Sequence, residues 1–185
     1  MMLLFPCRPN KLYPAVEFAT AALLAACLIA FGLTLHALAA SIFCAALVVV
    51  TATDLTHRIV PNWVVLPAAV VVCALMTVWD PSIEWIVAGL GASLLLFIAA
   101  LAYPGGLGMG DVKLALLTGV ALGRAVAVAL PLGMILALVP AVVLFARHGS
   151  GARKMAIPFA PFLALGSVIA LFAGDALIHA YMSTF

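Results

Sequence analysis

The chain has 185 residues, 68% of them hydrophobic and 8% charged, with eight Lys and Arg against six Asp and Glu, a formal net charge of +2 and a mean hydropathy of +1.37. So few polar side chains cannot cover a water-soluble surface, and so few clustered cations leave no nucleic-acid footprint, which excludes a soluble domain or a nucleic-acid binder. The long apolar runs lack the strict alternation of barrel strands, so the fold class is an all-α polytopic transmembrane helical bundle of about six to seven membrane segments, a single membrane-embedded domain over 1–185.

The N-terminal Arg8 and Lys11 precede an apolar run with no clear small-x-small cleavage site, so this segment is expected to stay as an anchor rather than leave as a signal peptide. Between Glu17 and Asp54 there is no Asp, Glu, Lys or Arg. That stretch holds two helices, near 14–33 and 36–54, with a turn at Gly32 to His36. A third follows Pro61-Asn62 and runs to Trp79, where Asp80-Pro81-Ser82 stops it. A fourth runs from Glu84 to Tyr103. After Asp111 a short fifth segment reaches Leu122, too short for the ~20 residues that a crossing takes. Beyond Gly123-Arg124 a sixth extends to Ala146, with bends expected at Pro131 and Pro140. A last span covers Pro158 to His179. Trp63, Trp79 and Trp85 fall at the expected membrane boundaries and read as interfacial anchors.

The four cysteines, Cys7, Cys27, Cys44 and Cys73, form no CxxC pair, and neither they nor the scattered histidines make a metal site, so they read as small core or interfacial residues and no cofactor or metal is expected. Threading seven spans alternately puts Arg8, Lys11, Arg58, Lys113, Arg147, Arg153 and Lys154 on one face and Arg124 alone on the other. Basic residues stay on the cytoplasmic side, so the first face is cytoplasmic.

Asp54 ends the second span and Asp111 begins the fifth, so the hairpin between them returns the chain to the same face and the same depth. Ionisable groups at membrane depth are expensive and point to function. Two carboxylates a few ångströms apart share a proton: the charged one can take a proton from water while the protonated one donates to a carbonyl oxygen, the chemistry of an aspartyl protease. Gly108 and Gly110 then shape an active-site loop, where backbone without a Cβ can approach closely and adopt positive φ. Lys113 reads as an interfacial anchor or as a group that binds substrate or tunes the charge of Asp111, and Pro61-Asn62 as a break that recaps the third helix. The blander reading is that Asp111 only caps a helix and Asp54 ends another. From other classes, a proton- or cation-coupled transporter subunit would use the same two aspartates in a broken-helix site, and a non-catalytic scaffold would need neither.

The segment Gly108-Met109-Gly110-Asp111-Val112-Lys113 resembles the GxGD motif of the type IV prepilin peptidases, a family of membrane aspartyl proteases. Asp54-Leu55 with Pro61-Asn62 resembles the first catalytic segment of that family, and the stretch from Lys154 to Gly166 resembles its last-helix signature, usually written IPFGPFLALG, with Ala160 in place of a glycine and Val60 where isoleucine is commoner. The resemblance implies an aspartic endopeptidase with Asp54 and Asp111 as the catalytic pair. It implies removal of a short basic leader from prepilins, whose mature part begins with an apolar helix, on the cytoplasmic side of the bacterial inner membrane. It further implies the short form associated with tight-adherence (Flp) pilus systems, without the N-terminal methyltransferase domain, since no paired CxxC segment precedes the first span.

Overall fold

A computed structural model describes residues 12–102, 107–148 and 158–183. The flanks of Asp111 at Tyr103 to Gly106, the basic loop beyond His148 as far as Ile157, and the terminal Arg8 and Lys11 lie outside the described residues. Seven helices follow in order: α1 (Leu12–Phe31), α2 (Leu35–His57), α3 (Asn62–Trp79), α4 (Glu84–Ala102), α5 (Met109–Leu122), α6 (Val126–His148) and α7 (Ala160–Met182). There is no strand among the described residues.

The sequence explains most boundaries. Gly32, at φ +66, ends α1, and Thr34 caps α2 by accepting from the Ala37 N–H at 3.1 Å. The Asp80 break separates α3 from α4, and Trp85 Nε1 donates back to the Asp80 carbonyl across it. Six helical stretches are long and apolar enough to cross a membrane, with Met109–Arg147 counting as one of them. The chain nevertheless reverses inside that stretch, at a short 3-10 turn over Gly123–Ala125, where Gly123 takes φ +54.

One expectation needs correction. α2 continues three residues past Asp54, so this aspartate lies about one turn inside the helix instead of ending it. α6 holds Pro131 and Pro140 within one helix, and α3 likewise contains Pro67. Intramembrane helices absorb such losses because neighbouring helices and local adjustments re-satisfy the freed carbonyls.

α5 is the centre of the bundle. Leu114, Ala115, Leu117 and Thr118 are fully buried, and α2, α3, α4, α6 and α7 all touch it. The closest approach is between α4 and α5, where a Cβ on Gly119 would lie 2.5 Å from the Ala88 carbonyl oxygen and the Gly89 Cα. α6 and α7 meet in the same way at Gly133 and Gly166, 2.6 Å from a hypothetical Cβ to backbone nitrogen. Lipid tails are as apolar as side chains, so helices in a bilayer associate through such close van der Waals contact. The hydroxyls of Thr118 and Ser167, both buried, face each other at 3.5 Å across α5 and α7. Each donates to a carbonyl of its own helix, Leu114 and Leu163 respectively.

Helices alternate in direction, so two ends can be told apart. One gathers His36, Asp80, Glu84, Arg124 and Asp175 around a cavity of about 290 Å³, with Arg124 Nε donating to Asp175 at 3.2 Å and the Arg124 N–H to Glu84 at 2.8 Å. The other holds Asp54 and Asp111.

Candidate active site

At that second end, three chain segments far apart in sequence converge: the last turn of α2 with the link into α3, the first turn of α5, and the first turn of α7. Asp54, on α2, is 7% exposed. Its Oδ2 accepts a hydrogen bond from the Ala160 N–H at 3.1 Å, across 106 residues of sequence. Ala160 opens α7, where the first backbone N–H groups have no partner in the helix itself, and the residue before it, Phe159, has no side-chain acceptor to offer. Asp54 therefore caps α7 from another helix. A bond of this charged kind contributes about 1.5–3 kcal/mol and fixes the rotamer of the carboxylate.

Asp111 sits in the first turn of α5. Its Oδ2 accepts from the Gly108 N–H at 3.3 Å, and its own N–H donates to the Gly108 carbonyl at 3.0 Å, a reciprocal cap. The side chain is half-buried. Asp54 is a second carboxylate at this same end of the bundle, buried on a helix that packs against α5. Each carboxylate is thus held through one oxygen by one backbone N–H, on two different helices that touch.

Of the two properties expected of the glycines, close approach is present at Gly110 and positive φ at neither. Gly108 has φ −80, and neither it nor Gly110 is among the positive-φ residues. Gly110 instead packs against Val60: a Cβ there would lie 2.7 Å from the Val60 Cβ. Gly108 is open, with a hypothetical Cβ no nearer than 3.4 Å to Asp111 Oδ2. The left-handed residue of the site is Arg58, at φ 55, whose N–H closes α2 on the Asp54 carbonyl at 2.9 Å. A non-glycine residue in this region costs about 1–2 kcal/mol and is held there by its surroundings.

Lys113 does not stretch away toward lipid head groups: its Nζ donates to Asn62 Oδ1 at 2.9 Å. Asn62 accordingly does not cap α3, whose N-cap, Pro61, makes no side-chain hydrogen bond. Three participants were not legible as such in the sequence: the Ala160 N–H, which no side-chain pattern can advertise; Val60, recorded only as a mild departure from isoleucine; and Asn62, recorded as a helix breaker. Among the described residues no three His, Cys, Asp or Glu side chains converge as a metal site.

Residues 41–183 match the Type IV leader peptidase family. The chain belongs to that family. It is similar to the prepilin leader peptidase/N-methyltransferase of Bacillus subtilis (strain 168), with 34% identity over an alignment that covers 95% of this chain and 71% of that relative. No solved structure matches it significantly. Membership makes the chain a membrane protease and favours the peptidase reading over the transporter and scaffold ones. The matched region begins within α2 and takes in the segments that carry Asp54, Asp111 and Ala160.

Proposed function

We propose that the protein removes the short basic leader of Flp-type prepilins at the cytoplasmic face of the bacterial inner membrane, with Asp54 and Asp111 as its catalytic dyad and residues 1–185 acting as one domain. What supports this reading is that two carboxylates at one end of the bundle, on helices that touch, are each anchored through one oxygen by a backbone N–H. One carboxylate takes a proton from water, whose oxygen attacks the scissile carbonyl carbon. The other, protonated, donates to the carbonyl oxygen. Collapse of the tetrahedral intermediate breaks the C–N bond, the leaving amine takes up a proton, and the dyad returns to its starting state.

The distribution of cations supports the orientation, since Arg58 and Lys113 lie at the carboxylate end and Arg124 at the other. A substrate whose basic leader stays in the cytoplasm and whose apolar segment lies in the bilayer offers its junction at this end of the bundle.

Co-expression with a Flp-type precursor tests the reading: the expected product lacks the leader by mass, and a cysteine placed at 149–152 reacts with an impermeant thiol reagent only from the cytoplasmic side. Intact precursors beside properly inserted protein, or labelling from outside, would overturn activity or orientation respectively.

Ala160 supplies a finer check. Ala160→Gly keeps the N–H that holds Asp54 and leaves cleavage near the wild-type rate. Ala160→Pro removes that N–H at a helix position where proline is otherwise well tolerated, and slows cleavage by about tenfold or more. Equal rates for the two variants would show that the α7 terminus does not hold Asp54 for the reaction.

A further inference from the structure

Lys113 and Asn62 are 51 residues apart and meet at 2.9 Å. Lys113 is two residues beyond Asp111, so at 100° per residue the two side chains leave α5 on nearly opposite faces. The lysine is therefore turned away from the carboxylate it follows and toward α3. One residue before Asp111, Gly110 takes Val60 against its Cα. The link Val60-Pro61-Asn62 is thus fixed to α5 at two points, one on either side of Asp111 in sequence: an apolar contact at Gly110 and a polar one at Lys113. The same link leads back through Arg58, whose N–H is bonded to the Asp54 carbonyl at 2.9 Å. A short, doubly fastened connection therefore runs from the backbone of one carboxylate residue to that of the other.

We infer that Lys113 and Asn62 are a positioning pair that sets the separation of Asp54 and Asp111 by fastening the α2–α3 link to α5. The inference rests on the dyad reading and adds to it two residues that act through the backbone without touching substrate. It differs from both sequence expectations for Lys113. A lipid anchor or a substrate ligand has no use for Asn62, whereas a positioning pair needs both members and needs the bond between them. Displacement of a reacting group by about 1 Å costs on the order of 10²-fold in rate, so a fastening this close to the dyad has leverage out of proportion to its own strength.

The test uses the full chain in detergent or liposomes with a prepilin precursor. kcat and KM are measured for Lys113→Met, Asn62→Leu, the double variant, Lys113→Arg and Asn62→Asp, each normalised to inserted, folded protein. Lys113→Met and Asn62→Leu should each lower kcat about tenfold with KM within about twofold. The double variant should be no worse than the weaker single, because one bond cannot be lost twice. Asn62→Asp keeps the acceptor and should recover most of the rate, as should Lys113→Arg, which keeps a charged donor.

Asn62→Leu at the wild-type rate beside a raised KM for Lys113→Met would overturn the proposal and make Lys113 a substrate ligand. Multiplying effects in the double variant would overturn it too, by showing two independent roles. If Lys113→Met fails to insert, the contrast between Asn62→Leu and Asn62→Asp still decides. Asp54→Asn and Asp111→Asn run in parallel separate the two readings: cleavage by either sinks the dyad, whereas full activity of both Asn62 variants with a dead dyad sinks only the pair.

Discussion

Asp54→Asn and Asp111→Asn each abolish leader removal, lowering the rate by about 10³-fold or more, while the protein still inserts and keeps its helices. Asparagine has nearly the shape of aspartate and retains an oxygen that can accept the N–H now donated to each carboxylate, from Ala160 in one case and Gly108 in the other. The caps of α7 and α5 therefore survive. What disappears is a group able to exchange a proton, and general acid–base steps supply about 10²–10⁴-fold each. Because the two groups divide one proton-transfer cycle, the double variant should be no slower than either single, a non-additivity expected of residues that act as a unit. The measurement is the mass of a co-expressed precursor, with membrane insertion checked on the same cells. Normal processing by either single variant would disprove the paired mechanism. Reagents that block serine or cysteine nucleophiles, or that chelate metals, leave the wild type unaffected on the same reading.

That the two aspartates lie at one end of the bundle was legible before any coordinates, because parity alone decides it: an even number of spans returns the chain to the side it left. The helices were legible for a related reason, since a bilayer forces each apolar run to close its hydrogen bonds internally and the breaks at Gly32, Pro61, Asp80-Pro81 and Gly123 fall between runs. Proline inside a run ends no helix here, at Pro131, Pro140 or Pro67. The extra turn of α2 beyond Asp54 also escaped, because Leu55-Thr56-His57 is polar enough to pass for a loop and the left-handed stop falls on Arg58 instead of a glycine. The remainder of the site consists of long-range contacts. Nothing in the signature around Ala160 says that its N–H meets a carboxylate 106 residues away, and nothing local to Lys113 names Asn62.

Gly110→Ala is the other substitution of large expected effect, and it separates two explanations of a glycine in this motif. If the residue supplied positive φ, alanine would strain the backbone of the loop itself. The structure places Gly110 among residues of ordinary φ and sets its Cα against Val60, where a new Cβ would stand 2.7 Å from the Val60 Cβ and 2.9 Å from Cγ2. Atoms that close must part by about 1 Å, and they part across the junction that holds the link from Asp54 against the helix of Asp111, so cleavage should fall on the order of 10²-fold. The nearest atom is the Val60 Cβ, not the tips of the side chain, which makes the remedy specific. Val60→Ala in the Gly110→Ala background keeps that Cβ and should recover little, whereas Val60→Gly removes it and should recover most of the loss. Gly108→Ala, whose Cβ meets nothing nearer than 3.4 Å, should stay within a few-fold of wild type, as expected of a substitution that meets only ordinary van der Waals contact. Rates for these four variants, normalised to inserted protein, would overturn the account if Gly108→Ala were the more damaging glycine substitution or if Val60→Ala rescued as well as Val60→Gly. A conformational requirement predicts no rescue from position 60 at all, so the ordering of the variants distinguishes close approach from backbone strain.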